Sequence, residues 1–207
     1  MLVLIALGAG AFYAWQRDLL TIERGAERGL SEEEALARQS SDARALADEL
    51  GVSEALRDII REEEGQVTTV YRDVSGLPTV GAGHLVTPED GLRVGDRISP
   101  QDMERLLDKD LEKAAAAARR LLRDTRVKQH EFDALVDLVY NVGPGNVSRE
   151  RSPALNRAIQ TQDYDAIAGQ LVYSRAQNGQ RAGGLVTRSE RRRRIFREGN
   201  YADPRTD

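Results

Sequence analysis

Glu64, Asp73 and Thr79 follow one another at intervals of nine and six residues, and together they hold the side chains that hydrolysis of a glycosidic bond needs. One carboxylic acid delivers a proton to the leaving oxygen. A second carboxylate serves the opposite face of an oxocarbenium-like transition state, where water attacks. Glu64 closes the run Glu62-Glu63-Glu64 just ahead of Gly65. The negative end of a helix dipole disfavours another anion there, and two acidic neighbours add like-charge repulsion. Both effects favour the protonated form of Glu64, as a general acid near neutral pH requires.

Each residue alone has a plainer reading. Acidic runs usually are solvated helix ends, an Asp beside a Ser75-Gly76 turn commonly accepts backbone N–H bonds, and a strand threonine is a good β-former. Only the triplet carries weight. Glu64-Gly65, then Tyr71-x-Asp73, then Thr79-x-Gly81-x-Gly83-His84 resembles the catalytic segment of the phage-type lysozymes, glycoside hydrolase family 24. That resemblance implies that Asp73 stays ionised, that Thr79 orients the attacking water, and that a single displacement inverts the anomeric carbon. Inverting sites hold their carboxylates roughly 6.5–9.5 Å apart. Gly81 and Gly83 would let backbone approach a bulky glycan or serve a bulge. His84 matches a family position, with two readings open: bonding between elements, or handling of substrate.

The resemblance extends through Phe132-Asp133-Ala134-Leu135, Tyr140-Asn141-Val142-Gly143 and Gly183-Gly184-Leu185-Val186-Thr187-Arg188, and so covers most of residues 53–198. Two departures stand out. Many relatives place a tryptophan near Ser174–Arg175 and a glutamate near Arg192, and this chain has neither.

The elements that must position these residues can be read from caps and periodicity. Ser53 caps a helix through Leu56, Ile59 and Ile60 to Glu64, and Gly65 ends it. Two short strands, 67–72 and 77–80, flank the Ser75-Gly76 turn. Ser99-Pro100 starts a long helix to Leu122. Another spans 129–141, Ser152-Pro153 and Asp163 begin two more, and Thr187 or Ser189 opens the last. The expected fold is α+β and mostly helical. It is a two-lobed, lysozyme-like domain over 53–202, a small β-hairpin lobe and a helical lobe joined by the long helix.

Two zones precede that domain. Residues 1–16 carry no charged side chain and end in Trp15-Gln16 before Arg17. They fall short of the roughly 20 apolar residues of a comfortable span. An uncleaved inner-membrane anchor, a signal peptide and a buried or partner-docking helix all stand, and Trp15 at the polar border favours the membrane. Residues 17–52 read as a charged spacer, with a capping box at Ser31–Glu34 and a helical stretch through Ala43, Leu46 and Leu50 to a stop at Gly51.

Composition excludes much else. There is no cysteine and there are only two histidines, His84 and His130, so no metal centre and no cofactor is expected. A net charge of −4 gives no basic footprint for nucleic acid. From residue 171 onward, nine arginines face four acids. Arg191 to Arg194 reads first as a solvated helix end, and second as a patch drawn to anionic wall polymers or headgroups.

The expected activity is that of a muramidase cutting the β-1,4 bond between N-acetylmuramic acid and N-acetylglucosamine in peptidoglycan. The chain would act as a monomer, anchored by residues 1–16 with its catalytic domain in the periplasm, as an endolysin lysing a host. Two alternatives remain: a muramidase of a virion or secretion apparatus that opens the wall locally, and a catalytically silent wall-binding or anchored assembly module.

Overall fold

A computed structural model of the chain describes residues 43–65, 67–73, 75–172 and 183–205, without the side chains of Glu64 and Gly183. The expected anchor at 1–16, the Ser31–Glu34 capping box and the region of Ser174–Arg175 lie outside the described residues. Among those described, no helix is long and apolar enough to cross a membrane.

The fold is mostly helical with one small antiparallel sheet. Helix α1 (Glu54–Glu64) starts where the Ser53 hydroxyl accepts the Leu56 N–H at 3.1 Å and stops at Gly65, whose φ of 72° suits a residue without Cβ. Leu56, Ile59 and Ile60 form its buried stripe. Strands β1 (Val67–Arg72), β2 (Pro78–Gly81) and β3 (His84–Leu85) follow in order. Tyr71 lies opposite Thr79, and Thr79 opposite Leu85. Strand β3 was not foreseen: two residues are too short to show alternation.

Helix α2 (Pro100–Leu122) begins at a capping box between Ser99 and Asp102 with Pro100 in its first turn. It serves two cores. Leu106 packs with Val70, Val80 and Val86 under the sheet, whereas Leu107, Leu111, Ala114, Ala115, Ala118 and Leu122 face the larger helical core. This is the joining helix of the two-lobed arrangement. Helix α3 (Gln129–Val142) is buried along its whole run from Glu131 to Val139. Truncating Phe132, fully enclosed there, to alanine would cost about 3–5 kcal/mol. Helices α4 (Pro153–Gln160) and α5 (Tyr164–Gln170) follow. Asp163 caps α5 through the Ala166 N–H, while the Ser152 hydroxyl donates to the Asn146 carbonyl instead of capping α4.

Two expectations are corrected. The last helix, α6, spans Gly183–Glu198 and so begins before Thr187 and Ser189, its packing outweighing the two glycines at its start. Residues 45–52 do not continue a spacer helix. Ala45 makes an isolated antiparallel bridge with Val127, Ala47 is buried, and Arg119 donates to the carbonyls of Ala47 and Leu50. The compact unit therefore begins at Ala45, eight residues before Ser53.

Candidate active site

The sequence-identified residues sit on three successive pieces of the chain: the end of α1, the turn after β1, and β2. Glu64 is the last residue of α1. Asp73 follows β1 directly, and its carboxylate holds the turn: Oδ1 accepts the N–H groups of Ser75 and Leu77, each at 2.8 Å. The backbone closes the same turn, with the Asp73 N–H donating to Leu77 and the Asp73 carbonyl accepting from Gly76. The plain turn role of an aspartate is thus present, but it occupies one oxygen. Oδ2 makes no hydrogen bond among the described residues. Arg72 donates to the Gly76 carbonyl at 2.7 Å and forms no ion pair with its neighbour.

Thr79 sits in β2 with little exposure, its hydroxyl donating to the Leu77 carbonyl at 3.2 Å. Leu77 therefore links the Asp73 carboxylate to the Thr79 hydroxyl: its N–H serves Asp73 and its carbonyl serves Thr79. Tyr71 and Leu85, opposite Thr79 on the two flanking strands, share its face of the sheet and are exposed. Val80 points the other way into the small core.

The Gly81-to-His84 run splits into distinct environments. Gly81 is buried at φ 66°, and a Cβ there would lie 3.1 Å from the Met103 Cγ, so the missing side chain lets β2 approach α2. Gly83 is exposed. His84 is turned inward, 3% exposed, with Nδ1 at 2.6 Å from Asp110 and Nε2 at 3.1 Å from Asp90. Its hydrogen bond with Asp110 raises its pKa against the effect of burial, and Asp90 adds to the rise. Asp90 also pairs with Lys109 and accepts from Thr87. From the helical side, the Tyr140 hydroxyl donates to the Ala82 carbonyl at 2.6 Å, fixing the glycine run to the end of α3. Among the described residues, no cluster of His, Asp or Glu has the arrangement of a metal site.

The sequence profile of the phage lysozyme family matches residues 61–192, more than half of the chain. The chain belongs to the phage lysozyme family. The endolysin of Salmonella phage P22 is 31% identical over 139 residues, covering 66% of this chain and 91% of that protein. The endolysin of Bacillus phage B103 is 30% identical over 152 residues, 72% of this chain, which spans only 55% of that longer protein. The SAR-endolysin of Pseudomonas phage phiKMV is 28% identical over 105 residues, covering 51% of this chain and 62% of that one. Among solved folds, the endolysin of Escherichia coli O157:H7 phage FAHEc1 superposes with a TM-score of 0.65 at 24% identity, over 74% of this chain and 97% of that one. This last likeness is one of fold, and it places the two lobes and the joining helix in a lysozyme architecture.

Against that family background, the arginine run needs correction. Of Arg191 to Arg194, Arg191 and Arg192 are buried, Arg192 at 1% exposure, and Arg193 and Arg194 are half-buried, so the run is not a solvated helix end; Arg188, one turn earlier, is buried as well. Arg191 bonds Glu62 at 3.1 Å and the Tyr201 carbonyl at 3.1 Å. Arg188 and Arg192 bond Asp137 on α3. The chain's departure at Arg192 is therefore matched by a buried carboxylate on the facing helix. The spacing of 188, 191 and 192 marks one helix face. Nothing in that local spacing names a partner more than 50 residues away.

Proposed function

We propose that the chain is a muramidase, hydrolysing the β-1,4 bond between N-acetylmuramic acid and N-acetylglucosamine in peptidoglycan. Glu64 protonates the leaving oxygen. Asp73 activates or stabilises the attacking water through Oδ2, and Thr79 orients that water from β2. The observation that carries the reading is the division of labour at Asp73 in a member of this family. Two backbone N–H groups lock Oδ1, no described residue bonds Oδ2, and Leu77 connects the carboxylate to Thr79. A carboxylate needed only for the turn would not call for a buried threonine hydroxyl on the same linker.

Exposed Gly83, Tyr71 and Leu85 suit contact with the glycan. Gly81 and His84 position the strand that holds Thr79. Water delivered to the face opposite the acid inverts the anomeric carbon, so the α-anomer should form first. A β-anomer seen first by NMR would remove the single-displacement mechanism.

The test of the activity is turbidity loss of permeabilised Gram-negative cells with the whole chain beside its Glu64→Gln variant. Clearing by the parent alone supports the assignment, and equal clearing by both overturns it. The likeness to the phiKMV SAR-endolysin supports the further reading that residues 1–16 tether the enzyme to the inner membrane, with the catalytic domain on the periplasmic side, in the service of host lysis. Cell fractionation with and without residues 1–16 tests it: loss of the membrane-bound fraction on their removal is expected, and an unchanged distribution contradicts the tether.

A further inference from the structure

The end of α1 that carries Glu64 abuts a block of buried charge. Asp137 on α3 is its centre, with a side chain 4% exposed. Its Oδ1 accepts Arg188 Nη2 at 2.9 Å and Nε at 3.2 Å, and its Oδ2 accepts Arg192 Nε at 2.5 Å. Arg188 Nε also lies 2.8 Å from Oε2 of Glu63, the residue before Glu64. That contact is an ion pair without hydrogen-bond alignment, since Glu63 Oε2 has no bonded donor. Arg191 completes the block through Glu62 and, at 3.5 Å, Glu63. Among the described side chains, three arginines from α6 thus meet three carboxylates, two from α1 and one from α3.

This is a poor way to make a protein stable. Taking charges out of water is expensive, and apolar packing of equal volume commonly does as well or better. Arg192 goes further: its Nη2 is buried with no hydrogen-bond partner among the described residues. What the block supplies is rigidity and electrical balance one residue behind the proposed acid. There, away from water, an unbalanced charge acts far more strongly than at a surface.

We propose that Asp137 is a positioning residue for the reaction. Through Arg188 and Arg192 it fixes the end of α1 and keeps the field at Glu64 balanced. This deepens the proposed function and rests on Glu64 being the acid. The charged groups around the block are Glu62 and Glu63 on α1, and Arg188, Arg191 and Arg192 on α6. Asp133 lies one turn back on α3, bonded to Tyr201. Asp203 and Arg205 belong to the tail, where Asp203 interacts with Arg191, and Arg205 with Glu62 and Glu63.

The test is the pH dependence of kcat on dye-labelled sacculi at saturation, where the alkaline limb reports the acid in the bound complex. Asp137→Asn leaves the block one charge positive. That favours ionised Glu64, so the limb should move to lower pH, by about half to one unit. Arg192→Gln leaves it one charge negative and should move the limb upward. The double variant restores the balance and should return the limb to its parental position. Arg191→Gln, at the better-solvated edge beside half-exposed Glu62, is the fallback if either core variant does not fold, and it too should move the limb upward. A merely structural role would lower the amount of active enzyme and leave every limb in place. Unmoved limbs, or the same direction for Asp137→Asn and the arginine variants, overturn the inference. Glu64→Gln, run in parallel, separates the two failures. If it is inactive while the limbs stay put, only the positioning role falls. If it remains active, the assignment of the acid falls and takes this inference with it.

Discussion

Arg192 of α6 and Asp137 of α3 form an ion pair that is 0% and 4% exposed at its two side chains, 2.5 Å from nitrogen to oxygen. Burial alone would raise the pKa of Asp137, but the guanidiniums of Arg192 and Arg188 outweigh it and hold the carboxyl below its usual range. Breaking such a pair from one side strands the other charge. Asp137→Asn or Arg192→Gln should each cost about 3–5 kcal/mol, and the double variant less than the sum, with a coupling of roughly 1–3 kcal/mol. Urea titration of all four proteins measures this, and additive losses would mean that the two side chains are not energetically paired.

His84 gives the fold a defined pH window. Its pKa is raised by Asp110, with burial opposing and Asp90 assisting. Its contribution is therefore complete below the unfolded histidine value of about 6.5 and is lost as pH rises through the higher folded value. Asp110 is held low by His84 against the upward push of burial, and Asp90 by Lys109, Thr87 and His84 against the same push. Their contribution is complete above the unfolded aspartate value of about 3.9 and is lost as pH falls through the folded values. Replacing His84 with asparagine should cost on the order of 3 kcal/mol near pH 5–6. The difference from the parent should narrow toward both extremes. A gap that stays constant from acid to alkaline pH would contradict this assignment.

Asp73→Asn separates scaffold from chemistry. The amide keeps a carbonyl oxygen for Ser75 and Leu77, so the turn should stand and stability should change by less than about 1 kcal/mol. Under the proposed mechanism catalysis then lacks its second carboxylate, and kcat should fall about 10²–10⁴-fold. Parallel thermal melts and sacculus assays decide it. A large loss of stability would instead make Asp73 chiefly a structural residue.

Gly81→Ala tests the approach of β2 to α2. The added Cβ meets the Met103 Cγ at 3.1 Å from a backbone at φ 66°. The methionine can yield by a few tenths of an ångström, so most of the cost is conformational, about 1–2 kcal/mol. Met103→Ala in the same chain should recover little of it. Full recovery would show that contact, not backbone angle, sets the penalty.

What the chain disclosed by itself were features with local causes. Ser53 and Ser99 announced their helices because a capping hydroxyl acts within three residues, and Gly65 stopped α1 for an equally local reason. The two short strands read on either side of Ser75-Gly76 are there as β1 and β2, with Asp73 in the turn and Thr79 on β2. Features set by distant partners stayed hidden. Strand β3 exists because Val80 and Thr79 offer it a neighbour, not because His84-Leu85 has a strand pattern. Arg188 and Arg192 look like surface residues until Asp137, 51 and 55 positions away, takes them inside. Ala45 and Ala47 look like spacer until Val127 and Arg119 claim them.

That last attachment has a mechanical meaning. Any pull travelling along the chain from residues 1–44 reaches the folded unit at Ala45. There two hydrogen bonds to Val127, each 2.9 Å, take the first strain, with the Arg119 clasp on Ala47 and Leu50 just behind. Load would be shed by peeling these few bonds one after another, before it reached α1 and the residue at its end. A join fastened this way yields one bond at a time, and the end of α1 is the last part to feel the load.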